Sequence, residues 1–160
     1  MQNPLYKPVI GQSSEELENA LAAINEKPFR GRQIFDWIYK KQIYDFSKMS
    51  DLPSSLREKL KSNKVHPLKL IKGENSSTKK TKKFLFQLET GEQIESVLMK
   101  HGDRNTICLS TQVGCAVDCG FCATAKMGFI KNLTAGEIVD QFIQLRDISN
   151  RKITNVVFMG

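Results

Sequence analysis

The chain has 160 residues, 40% hydrophobic and 26% charged, with a net charge of +7. That length holds one modest core, or a small domain and part of another. No apolar run approaches the ~18 residues needed to cross a bilayer, and the N-terminus, "MQNPLYKPVIGQSSEE", lacks the apolar centre of a secretory signal peptide. A soluble cytoplasmic protein without a membrane partner is therefore expected, and there clustered thiols point to metal or catalysis rather than to structural disulfides.

The first predicted helix opens at Ser13-Ser14-Glu15-Glu16, with Ser13 and Glu16 at capping-box spacing and Leu17, Leu21 and Ile24 at helical intervals. It ends at Lys27-Pro28. "GRQIFDWIYKK" predicts a second helix with Ile34, Trp37, Ile38 and Phe35 inward, and a third follows Pro53 with Leu56 and Leu60 on its apolar face. These helices form a small accessory domain, assigned to residues 1–72.

Beyond it the apolar period changes from 3.6 to 2. "KKFLFQL" alternates Phe84, Phe86 and Leu88 against Lys83, Leu85 and Gln87, and "ETGEQ" turns the chain into "IESVLMK". This hairpin is read as a linker over 73–103, which also takes in a basic loop at "ENSSTKKTKK". "RNTICLS" is the next strand, followed by a cysteine loop. A helix capped by Thr134 and Glu137 carries Ile138, Val139, Phe142, Ile143 and Leu145, and "ITNVVFMG" reads as a strand buried on both faces of a parallel sheet. Residues 104–160 thus spell one βαβ unit. The overall class is α+β followed by α/β, and the chemistry is expected at the carboxyl end of the first βαβ strand. A single βαβ unit leaves an open apolar edge, so the chain is expected to be hard to keep soluble alone and to be the front of a longer protein.

Three of the four cysteines, Cys115, Cys119 and Cys122, fall in "TQVGCAVDCGFCATAKMGF" at Cys-x3-Cys-x2-Cys spacing. Structural zinc takes four ligands, usually as two separated pairs, and neither a second pair nor a suitably spaced His66 or His101 is present. Inert buried cysteine is a second reading. The third is a [4Fe–4S] cluster held through three thiolates with one iron left open, the loop wrapping it with help from Gly114, Gly120 and Gly128 and shielding it with Phe121.

The Cys-x3-Cys-x-aromatic-Cys loop resembles the signature of radical S-adenosylmethionine (SAM) enzymes. With its flanks, "RNTICLSTQVGCAVDCGFCATAKMGFIKNLTAGEIVDQ" and "ITNVVFMG", it resembles the RlmN/Cfr family of radical-SAM RNA adenosine methyltransferases, the RlmN branch especially. A weaker likeness runs upstream through "FRGRQIFDWIYKK" and "DFSKMSDLPSSLREKL". The resemblance implies the first βαβ unit of a partial radical-SAM (β/α) barrel, a [4Fe–4S] cluster on Cys115, Cys119 and Cys122, and SAM on the open iron. It also implies a flavodoxin-like electron donor, methylation at adenosine C2 in 23S rRNA and tRNA, and a monomeric full-length enzyme. The Cfr branch would methylate C8 instead and give antibiotic resistance. A rival of another class is an RNA-binding module with a structural metal and no catalysis.

On its residues alone Cys108 is a small buried hydrophobe between Ile107 and Leu109. The resemblance makes it catalytic instead: a base, and the transient disulfide partner of a methyl-carrying cysteine near the family's C-terminus, which lies beyond Gly160. Glu95 reads as a solvent-facing strand carboxylate; the resemblance puts it against the substrate adenine. Lacking the Gly-Glu-Pro segment and the remaining strands, these 160 residues are not expected to turn over. Charge is uneven, with 18 Lys/Arg against 12 Asp/Glu in residues 1–100 and 6 against 5 thereafter. A basic front beside a near-neutral thiol loop suits an RNA substrate. Arg30, Arg32, Lys40 and Lys41 flank one helix, and Lys79, Lys80, Lys82 and Lys83 follow on a loop.

Overall fold

The structure is a computed structural model describing residues 5, 7–78, 80–117, 119, 120 and 122–159. Phe121 and Lys79, singled out above, lie outside the described residues. The chain divides into two compact units, Met1–Pro67 and Leu68–Gly160.

The first unit is helical. Helix α1 (Ser14–Ala22) opens with the expected capping box: the Glu16 N–H donates to Ser13 Oγ at 3.1 Å and the Ser13 N–H to Glu16 Oε2 at 2.7 Å. Helix α2 (Phe29–Tyr39) buries Ile34, Ile38 and Gly31. Gly31 marks the crossing with α1, since a Cβ there would lie 2.4 Å from the Glu18 backbone nitrogen. Trp37 is only half-buried, because its indole Nε1–H reaches Asp51 Oδ1 at 2.5 Å near the surface. A 3-10 turn over Phe46–Lys48 and helix α3 (Ser54–Leu60) complete the unit, with Leu56 and Leu60 buried as expected. Backbone N–H groups of Val9 and Ile10 close it by donating to the carbonyls of Lys64 and Val65.

In the second unit five strands share one sheet in the order β1-β2-β3-β4-β7. They are β1 (Lys69–Asn75), β2 (Thr81–Gln87), β3 (Gln93–His101), β4 (Arg104–Ser110) and β7 (Asn155–Met159). The β2–β3 hairpin has the anticipated alternation, and β4 runs parallel to β7 with helix α4 (Ala135–Ile148) between them. The residues read as a linker hairpin are thus strands of the same sheet as the βαβ unit. Strand β1, within a stretch read as helical domain and basic loop, goes unseen in the sequence because its Lys, Gly and Glu carry no apolar alternation. Backbone bonds to β2 hold it, around an irregularity between Leu70 and Lys72.

One sheet face packs on α4 through Phe84, Phe86, Ile94, Leu98, Ile107 and Leu109. One expectation needs correction here, and one feature of α4 was not anticipated. On α4 the apolar Val139 is exposed, while the polar Asp140 and Gln141 are buried. Strand β7 is not buried on both faces: Val156, Val157 and Phe158 are 41%, 46% and 64% exposed. The reason is its place at the sheet edge, with a neighbour on one side only among the described residues.

Candidate functional site

The cysteine loop leaves the carboxyl end of β4, where three long-range ties converge. The Thr111 N–H and Oγ–H donate to the Met159 carbonyl at 2.9 and 2.8 Å. Ser110 Oγ–H donates to the Glu95 carbonyl at 2.6 Å. The ends of β3, β4 and β7 are therefore fixed to one another where the loop begins.

The loop is closed at its base by a small antiparallel pair, β5 (Gln112–Gly114) with β6 (Phe129–Asn132). Gly114 has φ +71° and Gly128 φ +70°, both in the left-handed region that glycine tolerates. A Cβ on Gly114 would sit 1.7 Å from the Gly128 carbonyl oxygen, so no side chain fits there. The Cys115 N–H donates to that same oxygen at 3.2 Å. Gly120, expected to share this role, does not: its φ is not in the left-handed region and, among the described residues, a Cβ would meet nothing within 4 Å.

Cys115 is buried and Cys119 and Cys122 are half-buried, none of the four cysteines being in a disulfide. The Cys122 N–H turns back to the Cys119 carbonyl at 2.9 Å, and Gln112 Nε2 donates to Cys115 Sγ at 3.7 Å. Among the described residues no three His, Cys, Asp or Glu side chains are gathered closely enough to ligate one ion. Metal–thiolate bonds are what draw such ligands together. The donor set itself, three soft thiols on one pinched loop with no fourth, suits an iron–sulfur cluster bound at three corners better than closed tetrahedral zinc.

Cys108 stands apart from this set. It lies on β4 opposite Val97 of β3 and Val157 of β7. Strand alternation puts it on the sheet face turned away from α4, the face that also carries Glu95, two residues before Val97. Only 6% of Cys108 is exposed, and burial pushes its thiol pKa up. Glu95 is exposed and accepts Lys83 Nζ at 2.8 Å.

Comparison with known proteins gives these features relatives. Residues 9–65 match the family described as "Ribosomal RNA large subunit methyltransferase N-terminal domain". The "Probable dual-specificity RNA methyltransferase RlmN" of Carboxydothermus hydrogenoformans is 49% identical over 149 residues, 92% of this chain and 44% of that protein. The Aquifex aeolicus protein of the same description is 43% identical over 154 residues, 95% and 44% of the two chains. The likeness is to the N-terminal portion of RlmN proteins. The chain spans less than half the length of these relatives. A solved structure titled "Crystal Structure of a radical SAM methyltransferase from Sphaerobacter thermophilus" superimposes with a TM-score of 0.80 at 38% identity, over 94% of this chain and 47% of that one.

The residue that anchors the loop to its helix was not among the expected site residues. Gln141 of α4 is fully buried, and its Oε1 accepts the Ser110 N–H at 2.9 Å and Ser96 Oγ–H at 2.6 Å. Its Nε2 donates to the Ser110 and Glu137 carbonyls at 3.0 and 3.2 Å. The side-chain amide thus acts as a peptide group at the end of β4, where the sheet ladder stops. Asp140 works similarly, accepting the Leu68 N–H at 3.0 Å. The available signal was two adjacent polar residues inside the apolar stretch of a capped helix.

Proposed function

We propose that this chain is the N-terminal part of a radical-SAM enzyme that methylates C2 of an adenosine in 23S rRNA and in tRNA. The observation carrying this reading is the three-thiol loop, pinched between Gly114 and Gly128 at the carboxyl end of a βαβ strand. The likeness to RlmN proteins over nearly the whole chain supports it. Cys115, Cys119 and Cys122 hold a [4Fe–4S] cluster, which when bound supplies the electron for reductive cleavage of SAM. Gln112, through its bond to Cys115 Sγ, lends this thiolate a hydrogen bond that tunes it.

Cys108 is kept off the cluster and moves a proton at its Sγ. Burial favours the thiol, and the same loss of water makes any thiolate formed there a stronger base. Glu95 faces the substrate adenine, its carboxylate steered by the Lys83 ammonium. The βαβ unit starts a (β/α) barrel, and the exposed apolar edge of β7 is where its next strand pairs. The helical unit, with 11 Lys/Arg against 8 Asp/Glu in residues 1–67, is an accessory surface for RNA.

The test uses the complete enzyme purified without oxygen. A brown protein that dithionite bleaches is expected, with Cys119→Ala losing the iron. Cys108→Ala should keep the iron yet stop methyl transfer. A colourless protein holding stoichiometric zinc would sink this reading, and iron loss in Cys108→Ala would make Cys108 a ligand. Mass spectrometry of digested RNA identifies the methyladenosine isomer, C8 in place of C2 marking a Cfr-type enzyme.

A further inference from the structure

The helical unit contains a cleft of about 580 Å³ between the 3-10 turn, α3 and the segment that follows α3. This volume lies in the range of about 300–1,000 Å³ typical of small-ligand sites. One wall is aromatic: the rings of Tyr44 and His66 lie 5.0 Å apart, tilted by 58°. Another is cationic, formed by Arg57 and Lys61, and the Asn63 amide sits beside them. Two carboxylates also line the cleft. Asp45 is engaged by the Ser47 N–H at 2.9 Å and Oγ–H at 2.7 Å, and exposed Glu58 pairs with Lys61 at 3.4 Å.

Arg57 supplies a second, independent observation. Its Nη1 donates to the Ser47 carbonyl at 2.7 Å, which pins the guanidinium in place. Its Nε is buried and has no acceptor among the described residues. A buried arginine N–H normally finds an acceptor, and this one keeps its donor for water or for an oxygen from outside the chain.

We propose that this cleft holds one unpaired nucleotide of an RNA strand. The Tyr44–His66 wall stacks on the base, Arg57 and Lys61 take the phosphate, and the Asn63 amide reads the base edge. Unpaired RNA is recognised in this way, by stacking on aromatic and imidazole rings and by edge contacts, with cations on the backbone. The proposal rests on the RNA reading above, which the match of residues 9–65 supports. It goes further in naming where in the accessory unit a single splayed nucleotide sits.

The chain has two histidines, so the His66 Hε1 resonance can be assigned with a His101→Asn variant and followed by NMR. A short single-stranded oligoribonucleotide, labelled for fluorescence anisotropy in parallel, is the probe. The expected result is a saturable upfield shift of His66, not reproduced by the same sequence as a duplex. Lys61→Glu should weaken binding about tenfold with unchanged thermal melting, since Lys61 is exposed and its loss leaves the core intact. Tyr44→Leu should abolish the His66 shift while weaker electrostatic binding persists. Binding with His66 unmoved and Lys61→Glu unaffected overturns the cleft assignment and leaves the RNA reading standing. Binding of adenosine monophosphate as tight as the oligonucleotide makes the cleft a free-nucleotide site and overturns the proposal. No binding of any RNA at low salt removes both.

Discussion

Gly114 approaches the Gly128 carbonyl so closely that a Cβ on Gly114 would lie 1.7 Å from the oxygen. The two glycines form the neck of the cysteine loop, each with positive φ. Gly114→Ala combines a left-handed strain of about 1 kcal/mol or more with a clash against backbone that cannot rotate away. The expected outcome is loss of iron from the anaerobically reconstituted protein with the far-ultraviolet circular dichroism retained. Gly120→Ala, at an open position, should keep its iron and serves as the control.

Gln141 satisfies the last N–H and C=O of β4 together with Ser96. Gln141→Leu preserves bulk but strands these groups, at about 1–3 kcal/mol for each one buried and unpaired. A fall of about 2–4 kcal/mol in the urea-unfolding free energy of the second unit is expected, allowing for partial rehydration at the strand end. An unchanged midpoint would mean that the clamp contributes nothing.

Gly31 lets α1 and α2 cross at backbone contact, its missing Cβ being 2.4 Å from Glu18 nitrogen. Alanine gains roughly 1 kcal/mol in helix propensity but overpacks the crossing by about 1–3 kcal/mol or more, the neighbour being backbone. Net destabilisation is expected. Trp37, the single tryptophan, reports it through intrinsic fluorescence in a denaturant titration.

Cys108 offers a pH test. Burial raises its pKa in the folded state above that in the unfolded chain, so the folded state holds the proton more tightly. This contribution to stability is fully present below the unfolded pKa and declines as pH rises through the folded value. Stability of the cluster-free protein should therefore fall on the alkaline side, and Cys108→Ser should flatten that fall. In the same protein Cys108 should be alkylated by iodoacetamide more slowly than half-buried Cys119, as read by peptide mass spectrometry.

Much of this architecture was readable from local patterns. The Ser13/Glu16 and Thr134/Glu137 boxes are both formed, and Phe84 and Phe86 point into the core as their alternation implied. The β4–α4–β7 order followed from the same periodicities. Strand β1 was hidden because backbone pairing, rather than apolar alternation, holds "KLIKGEN" to β2. The β5–β6 pair was hidden because its three- and four-residue strands are too short to show a period. The burial of Asp140 and Gln141 beside an exposed Val139 was hidden because apolarity gives no sign of it: the two polar side chains are buried by their bonds to Leu68 N–H and Ser96 Oγ–H.

The sequence by itself determined what depends on residues a few positions apart: the helix caps, the hairpin, and three thiols spaced along one loop. Tertiary structure decided that Cys108 shares a sheet face with Glu95. It also decided that Gly114 is pinched against Gly128 while Gly120 is not, and that a glutamine completes the end of β4. The physical reason is range. Caps and turns close through hydrogen bonds within four residues, so composition specifies them. Face, pinch and clamp require pairing across tens of residues, where register and burial choose among local possibilities that the sequence leaves equal.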